Sequence, residues 1–287
     1  MRIPPFAAGL LMGSADAVPG ISGGTVALVI GLYRRLIDAI ATVLEYPRRR
    51  DFEALRAPLA FLLPLGLGMA TAYWLVSRLL IGPEGSPGIL LRPETAPLCY
   101  GLFSGLVAVS LREPWRRIDA PGREHLAFAG AGAVATFVVL GLPFATSAPA
   151  DWMLPVGGAL ALTAMLLPGV SGSLVLVMLG QYAAIAGAVH DLRLAPLLWF
   201  GSGGLVAALV VVPRLQRLLA ERPGRTLAVL TGVMAGSLRA LWPWKASYDV
   251  RAGDLSPLGV GANWPEVALA ALLGGALVLA LERLSRR

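Results

Sequence analysis

An all-α polytopic membrane protein, made of two inverted copies of one unit, is the architecture this sequence predicts. Three observations predict it. Of the 287 residues, 56% are hydrophobic and only 14% charged, with a mean hydropathy of +0.72, far from the usual composition of soluble domains. The run Pro19-Gly20-Ile21-Ser22-Gly23-Gly24 returns as Pro168-Gly169-Val170-Ser171-Gly172-Ser173, 149 positions later. Basic residues collect on one side once the segments are threaded through a bilayer.

The first copy covers residues 1–145, with a broken hairpin near 5–46 and helices near 58–80, 96–113 and 126–143. The second covers 150–287, with a hairpin near 154–189 and helices near 196–213, 226–242 and 265–284. Beyond the broken runs, 57–68 pairs with 195–206, 100–105 with 231–236 and, more weakly, 129–134 with 272–277. The six helical segments approach the roughly 20 apolar residues of a full crossing. Segments 5–18 and 154–167 differ: each has 14 residues and runs into Pro-Gly. They are expected to enter halfway, turn and leave as re-entrant hairpins. Each copy then crosses three times, and an odd count turns the second copy upside down. Full crossings by both arms give five and the same inversion, whereas one kinked span gives four and parallel copies.

With the N-terminus inside, eighteen of the 24 Lys and Arg face the cytoplasm and six the other side. That bias fits inverted copies with both termini cytoplasmic and disfavours the kinked span. The arginines flank apolar segments and form no continuous patch, so nucleic acid is not an expected partner. The single cysteine, Cys99, excludes an internal disulfide or a thiolate metal cluster, and neither metal nor cofactor is expected. Residues 3–13 resemble a signal core, but Asp16 and Pro19 follow where a cleavage site of small residues belongs, so the segment is expected to be retained. The longest polar intervals, 81–95 and 243–264, are too short for a soluble domain.

Two broken segments imply an interior cavity, because an unpaired backbone group in hydrocarbon costs several kcal/mol. Pro19 and Pro168 stop the incoming arms; Gly20 and Gly169 allow the turn. Ser22 and Thr25, or Ser171 and Ser173, suit the N-caps of the outgoing arms. A helix start presents free N–H groups and a positive dipole end, which together attract anions. Ser22, Gly23, Gly24, Thr25, Ser171, Gly172 and Ser173 are therefore candidate phosphate ligands. Scattered glycines such as Gly66, Gly68, Gly130, Gly132, Gly274 and Gly275 read as helix-packing positions.

Asp16 is an ionisable group inside a membrane segment, a functional candidate by position. Two roles suit it: a proton carrier, or a cap or arginine partner. Its aligned position in the second copy is Met165. Arg239, beside Trp242 and Trp244 at an expected interface, is either a bidentate phosphate ligand or a snorkelling side chain. Arg34 and Arg35 suit anionic membrane lipids.

The stretches ADAVPGISGGTVALVIGLYRRLI (15–37), LLPGVSGSLVLVMLGQY (166–182) and GVMAGSLRALWPWK (232–245) carry a resemblance. Through them the chain resembles the bacterial polyprenyl-phosphate transporter family over essentially its whole length. The resemblance implies a flippase of the bacterial inner membrane that returns undecaprenyl phosphate, the carrier lipid of cell-wall synthesis, from the outer to the cytoplasmic leaflet. It supplies no catalytic residues. Inward movement of an anionic headgroup opposes the membrane potential by about 2.3 kcal/mol per charge per 100 mV, and a coupled proton, carried by Asp16, or a sodium ion would offset part of that.

Two rivals stand beside this reading. Intramembrane polyprenyl-diphosphate phosphatases share a Pro-Gly-x-Ser motif, but theirs continues with an arginine where Gly23 and Gly172 stand here, and they carry paired glutamates. The glutamates of this chain are expected in loops or near span ends, and His125 and His190 in loops. A small-anion channel or exchanger would also use facing helix starts, yet its path should be walled off from lipid, whereas a lipid carrier needs a groove open sideways.

Overall fold

The computed structural model describes residues 3–18, 22–80, 82, 88–142, 150–190, 192–248 and 256–286. Among them the chain is helical, with a lone antiparallel bridge between Lys245 and Pro257. The first half runs α1 (Pro5–Asp16), α2 (Gly23–Val29), α3 (Tyr33–Arg49), α4 (Glu53–Leu80), α5 (Ala96–Ser110), α6 (Arg112–Arg116) and α7 (Arg123–Val139). The second runs α8 (Leu154–Leu166), α9 (Gly172–Met178), α10 (Tyr182–His190), α11 (Leu194–Glu221), α12 (Pro223–Ser237) and α13 (Trp264–Arg286). The apolar helices α4 and α11 have 28 residues each, about 42 Å at 1.5 Å per residue, enough to cross a bilayer.

Helices α4, α5, α7, α11, α12 and α13 overlap the six expected segments, with α11 running on to Glu221 and α12 stopping at Ser237, and each outgoing arm is broken a second time. A seven-residue helix, α2 or α9, ends at Gly31 or Gly180, whose φ values are +78° and +67°. The N–H of Gly31 bonds Leu28 O and that of Leu32 bonds Ala27 O; Gly180 and Gln181 repeat the pattern on Val177 O and Leu176 O. This is the Schellman stop, which needs a left-handed residue that glycine supplies without strain. The histidines also depart from the loop placement. His125 sits in the first turn of α7, where its Nδ1 accepts the Gly122 N–H at 3.2 Å, and His190 closes α10.

Small residues set the packing. α1 lies along α4 and α8 along α11. A Cβ on Gly9 would strike Leu65 O and one on Gly68 would strike Phe6 O; in the second half Gly158 faces Phe200 O and Gly203 faces Pro155 O in the same way. Equivalent contacts thus pair Gly68 with Gly203, three residues away from the register read by aligning 57–68 with 195–206. α5 packs on α13 and α7 on α12, so each half lends its last helix to the other. Among the described residues nothing lies within 4 Å of a Cβ on Gly66 or Gly130, unlike Gly132 and Gly274, which meet backbone of a facing helix.

Beyond α12 a short 3₁₀ turn, Leu238–Leu241, leads to Lys245, which is only 7% exposed. Its ammonium donates to Ala240 O at 2.7 Å and lies 3.6 Å from the centroid of the Tyr100 ring, which stacks on Tyr248. Burial pushes the Lys245 ammonium down to about 7. Between that value and the ordinary lysine range near 10.4, the unfolded chain binds a proton that the folded chain does not, so this group adds stability as pH rises through that window. The melting temperature of purified protein is expected to climb more steeply from pH 7 to 9 than that of Lys245→Met, measured in the same detergent.

Candidate functional site

The two hairpin tips meet. Gly24, at the start of α2, lies against the second tip: a Cβ there would be 3.4 Å from Met165 O and 3.6 Å from Pro168 Cα. At the first tip the Asp16 carboxylate accepts the Gly23 N–H at 2.6 Å, and the Ser22 hydroxyl accepts the Gly24 N–H at 3.1 Å. A negative side chain at a helix start is stabilised by the dipole. Gly23 fits closely: a Cβ there would lie 2.6 Å from the other Asp16 oxygen and 3.0 Å from Met12 O. The expectation of free amides at this tip is therefore corrected: those of Gly23 and Gly24 are engaged within the chain. Of the two roles read for Asp16, the cap is the one its contacts display. Ser22 is the N-cap, as read, but Thr25 is not a cap; it lies inside α2, fully buried, with an unpaired hydroxyl facing a separate cavity of about 200 Å³ beside Ser14 and Ser110. Pro19 and Gly20 lie outside the described residues.

At the second tip Gly169 takes φ +94° and packs on Met234 and Ser237 of α12. Ser171 occupies the N-cap position of α9 in extended backbone, but its hydroxyl makes no capping bond and pairs with the Ser173 hydroxyl at 2.7 Å. A cavity of about 620 Å³ opens here. Its polar lining is Asp16 from α1, Tyr73 from α4, Ser171 and Ser173 from the second tip, and Tyr182 from α10; Met69, Met165, Ile185 and Phe200 make apolar walls. Tyr73 is 42% exposed and Met165 47%. Trp74 and Leu75, which follow Tyr73 on α4, are exposed as well.

The structure thus brings together Asp16, Ser171, Gly172 and Ser173, and leaves Ser22, Gly23, Gly24 and Thr25 outside the cavity wall. Arg239 also lies apart: its guanidinium covers the Phe137 ring at 4.4 Å and packs against Gly141 of the α7 end. Tyr73 and Tyr182 were missed as site residues. The repeat itself held the signal for Tyr182, which aligns with Tyr33 at the same 149-residue spacing as the breaks; nothing near Tyr73 marks it.

Fold and site together define a helical membrane protein with a polar-tipped, apolar-walled cavity between two broken helices. The VCA0040-like family, described as undecaprenyl phosphate translocase-like, matches residues 12–256, and the chain belongs to it. It is similar to a polyprenyl-phosphate transporter of Vibrio cholerae serotype O1, 30% identical over 302 aligned positions that cover 97% of this chain and 96% of the relative. A polyprenyl-phosphate transporter of Staphylococcus aureus is 28% identical over 254 positions, 82% of this chain and 84% of that one. No solved structure matches.

Proposed function

We propose that this protein is a flippase that carries undecaprenyl phosphate, or a similar polyprenyl phosphate, from the outer to the cytoplasmic leaflet of the bacterial inner membrane. The observation that carries the proposal is the cavity of about 620 Å³, which sets Asp16, Ser171 and Ser173 of the hairpin tips beside the apolar Met69, Met165, Ile185 and Phe200. The phosphate sits against the Ser171 and Ser173 hydroxyls and the start of α9, within reach of Tyr73 and Tyr182, while the isoprenoid tail stays in lipid. A cavity that joins polar groups to apolar walls suits an amphiphile better than a small anion. Names of the relatives support transport in place of hydrolysis.

The halves 1–145 and 150–287 act as inverted copies. Repeated helix stops, repeated glycine contacts and the exchange of last helices support the duplication. Orientation rests on charge: Arg117 with Leu28 O, Arg116 with Glu282, Gln216 with Asp38 and Arg225 with Glu124 all join regions that the arginine count puts on the cytoplasmic side. On that orientation the cavity faces the outer leaflet, where the substrate is collected.

Ser22, Gly23, Gly24 and Thr25 serve by building the tip that holds Asp16, and Arg239 supports α7 at the outer boundary. A charged Asp16 repels a phosphate in the same cavity; a proton on it removes the repulsion and adds a donor. Headgroup and proton therefore bind together, which offsets part of the electrical cost of inward movement. Reconstituted vesicles test this. Leaflet exchange of undecaprenyl phosphate should accelerate when the cavity side is acidified, and Asp16→Asn should exchange without that acceleration. Phosphate release would replace the proposal with hydrolysis, and chloride flux without lipid exchange would replace it with a channel.

A further inference from the structure

The two halves are not in the same state. Tyr33 and Tyr182 occupy equivalent places, two residues past the Schellman glycine and first in α3 and α10. Tyr33 is buried, and its hydroxyl donates to Leu166 O, at the end of α8, at 2.6 Å. Tyr182 instead faces the open cavity. The helices that follow differ in the same sense. α3 packs directly on α11, and Gln216 reaches from α11 to Asp38 of α3 at 2.9 Å. Between α10 and α4, the corresponding pair, lies the cavity, with Met69 and Tyr73 on one wall and Tyr182 and Ile185 on the other. The mirror position of that cavity is filled by a packed cluster that includes Tyr33, Ile37, Leu166, Val212 and Leu215.

We propose that Tyr33 and Tyr182 are alternating latches, and that a second state exists in which the halves exchange these packings. In it Tyr182 donates to Ala17 O, the position equivalent to Leu166 at the 149-residue spacing, and α10 closes on α4. Tyr33 releases Leu166 O, and a matching mouth opens between α3 and α11. Backbone carbonyls at helix ends lack an intrahelical partner, so a phenol hydroxyl can seat on either end without disturbing a helix. Interdigitated packing favours two discrete arrangements over a continuous deformation. The inference rests on the transport reading above, since alternating mouths have a use only in a carrier.

Two distances read the latches without any transport assay. In a Cys99→Ser background, one nitroxide pair at Ala70 and Ala186 spans the open mouth, and a second at Arg34 and Arg217 spans the closed seam. Double electron–electron resonance in lipid nanodiscs should give two populations for each pair, short in one where long in the other. Tyr33→Phe should raise the fraction with a short Ala70–Ala186 distance and a long Arg34–Arg217 distance by about threefold or more; Tyr182→Phe should lower it. A single unchanged distance for both pairs in both variants overturns the inference, as does movement of the two pairs in the same sense. Exchange of undecaprenyl phosphate with no distance change overturns the latches and leaves the transport reading standing. Distance exchange with no lipid exchange does the reverse.

Discussion

Vesicles containing the double variant Ser171→Ala, Ser173→Ala are expected to exchange undecaprenyl phosphate between leaflets about a hundredfold more slowly than wild type, with a nearly unchanged melting temperature. The two hydroxyls bond each other at 2.7 Å, so removing both leaves neither a donor nor an acceptor stranded, a change that costs little stability. The phosphate would lose both. A hydrogen bond to a charged group is worth about 1.5–3 kcal/mol, and about 1.4 kcal/mol is a factor of ten in affinity. Single variants should be worse for stability and milder for exchange, because each leaves one hydroxyl without its neighbour. A double variant that exchanges lipid at the wild-type rate, followed by fluorescence of a labelled polyprenyl phosphate, would remove the second tip from the binding site.

Gly203→Ala is expected to cost about 3 kcal/mol or more and to leave α11 inserted but detached from α8. The added methyl group would collide with the Pro155 carbonyl oxygen, which is backbone and cannot rotate away. Helix association in a membrane depends on such close approaches, because lipid offers no hydrophobic driving force between helices. Gly201, two residues earlier on the same helix, is the control: a Cβ there meets nothing within 4 Å, and Gly201→Ala should gain up to about 1 kcal/mol from helix propensity. Thermal unfolding followed by size-exclusion in detergent separates the two. Equal melting temperatures for both variants would mean that the α8–α11 contact does not hold the fold.

Much of the framework was legible in the chain alone. Apolar length marked α4, α5, α7, α11, α12 and α13, because a helix that meets lipid must satisfy its backbone internally and announces itself by composition. The repeated Pro-Gly-x-Ser marked the breaks and the Ser22 cap for the same local reason: proline removes a donor and a short polar side chain replaces it. The second break at Gly31 and Gly180 was visible only as a coincidence of spacing, since a glycine stops a helix or packs one with the same lack of a side chain.

The sequence by itself determined a helical membrane chain, its two interrupted segments and its family. Only the tertiary structure decided which polar groups share a cavity. Asp16 stands 155 positions before Ser171, yet both line one cavity, while Thr25 and Arg239, equally suited by type, turn toward α5 and α7. The physical reason is that local pattern fixes where a helix starts and stops, whereas the direction a side chain faces at a helix end depends on which distant helix packs against it. The same holds for Tyr33 and Tyr182, alike in sequence and set apart by whether a neighbouring helix lies over them.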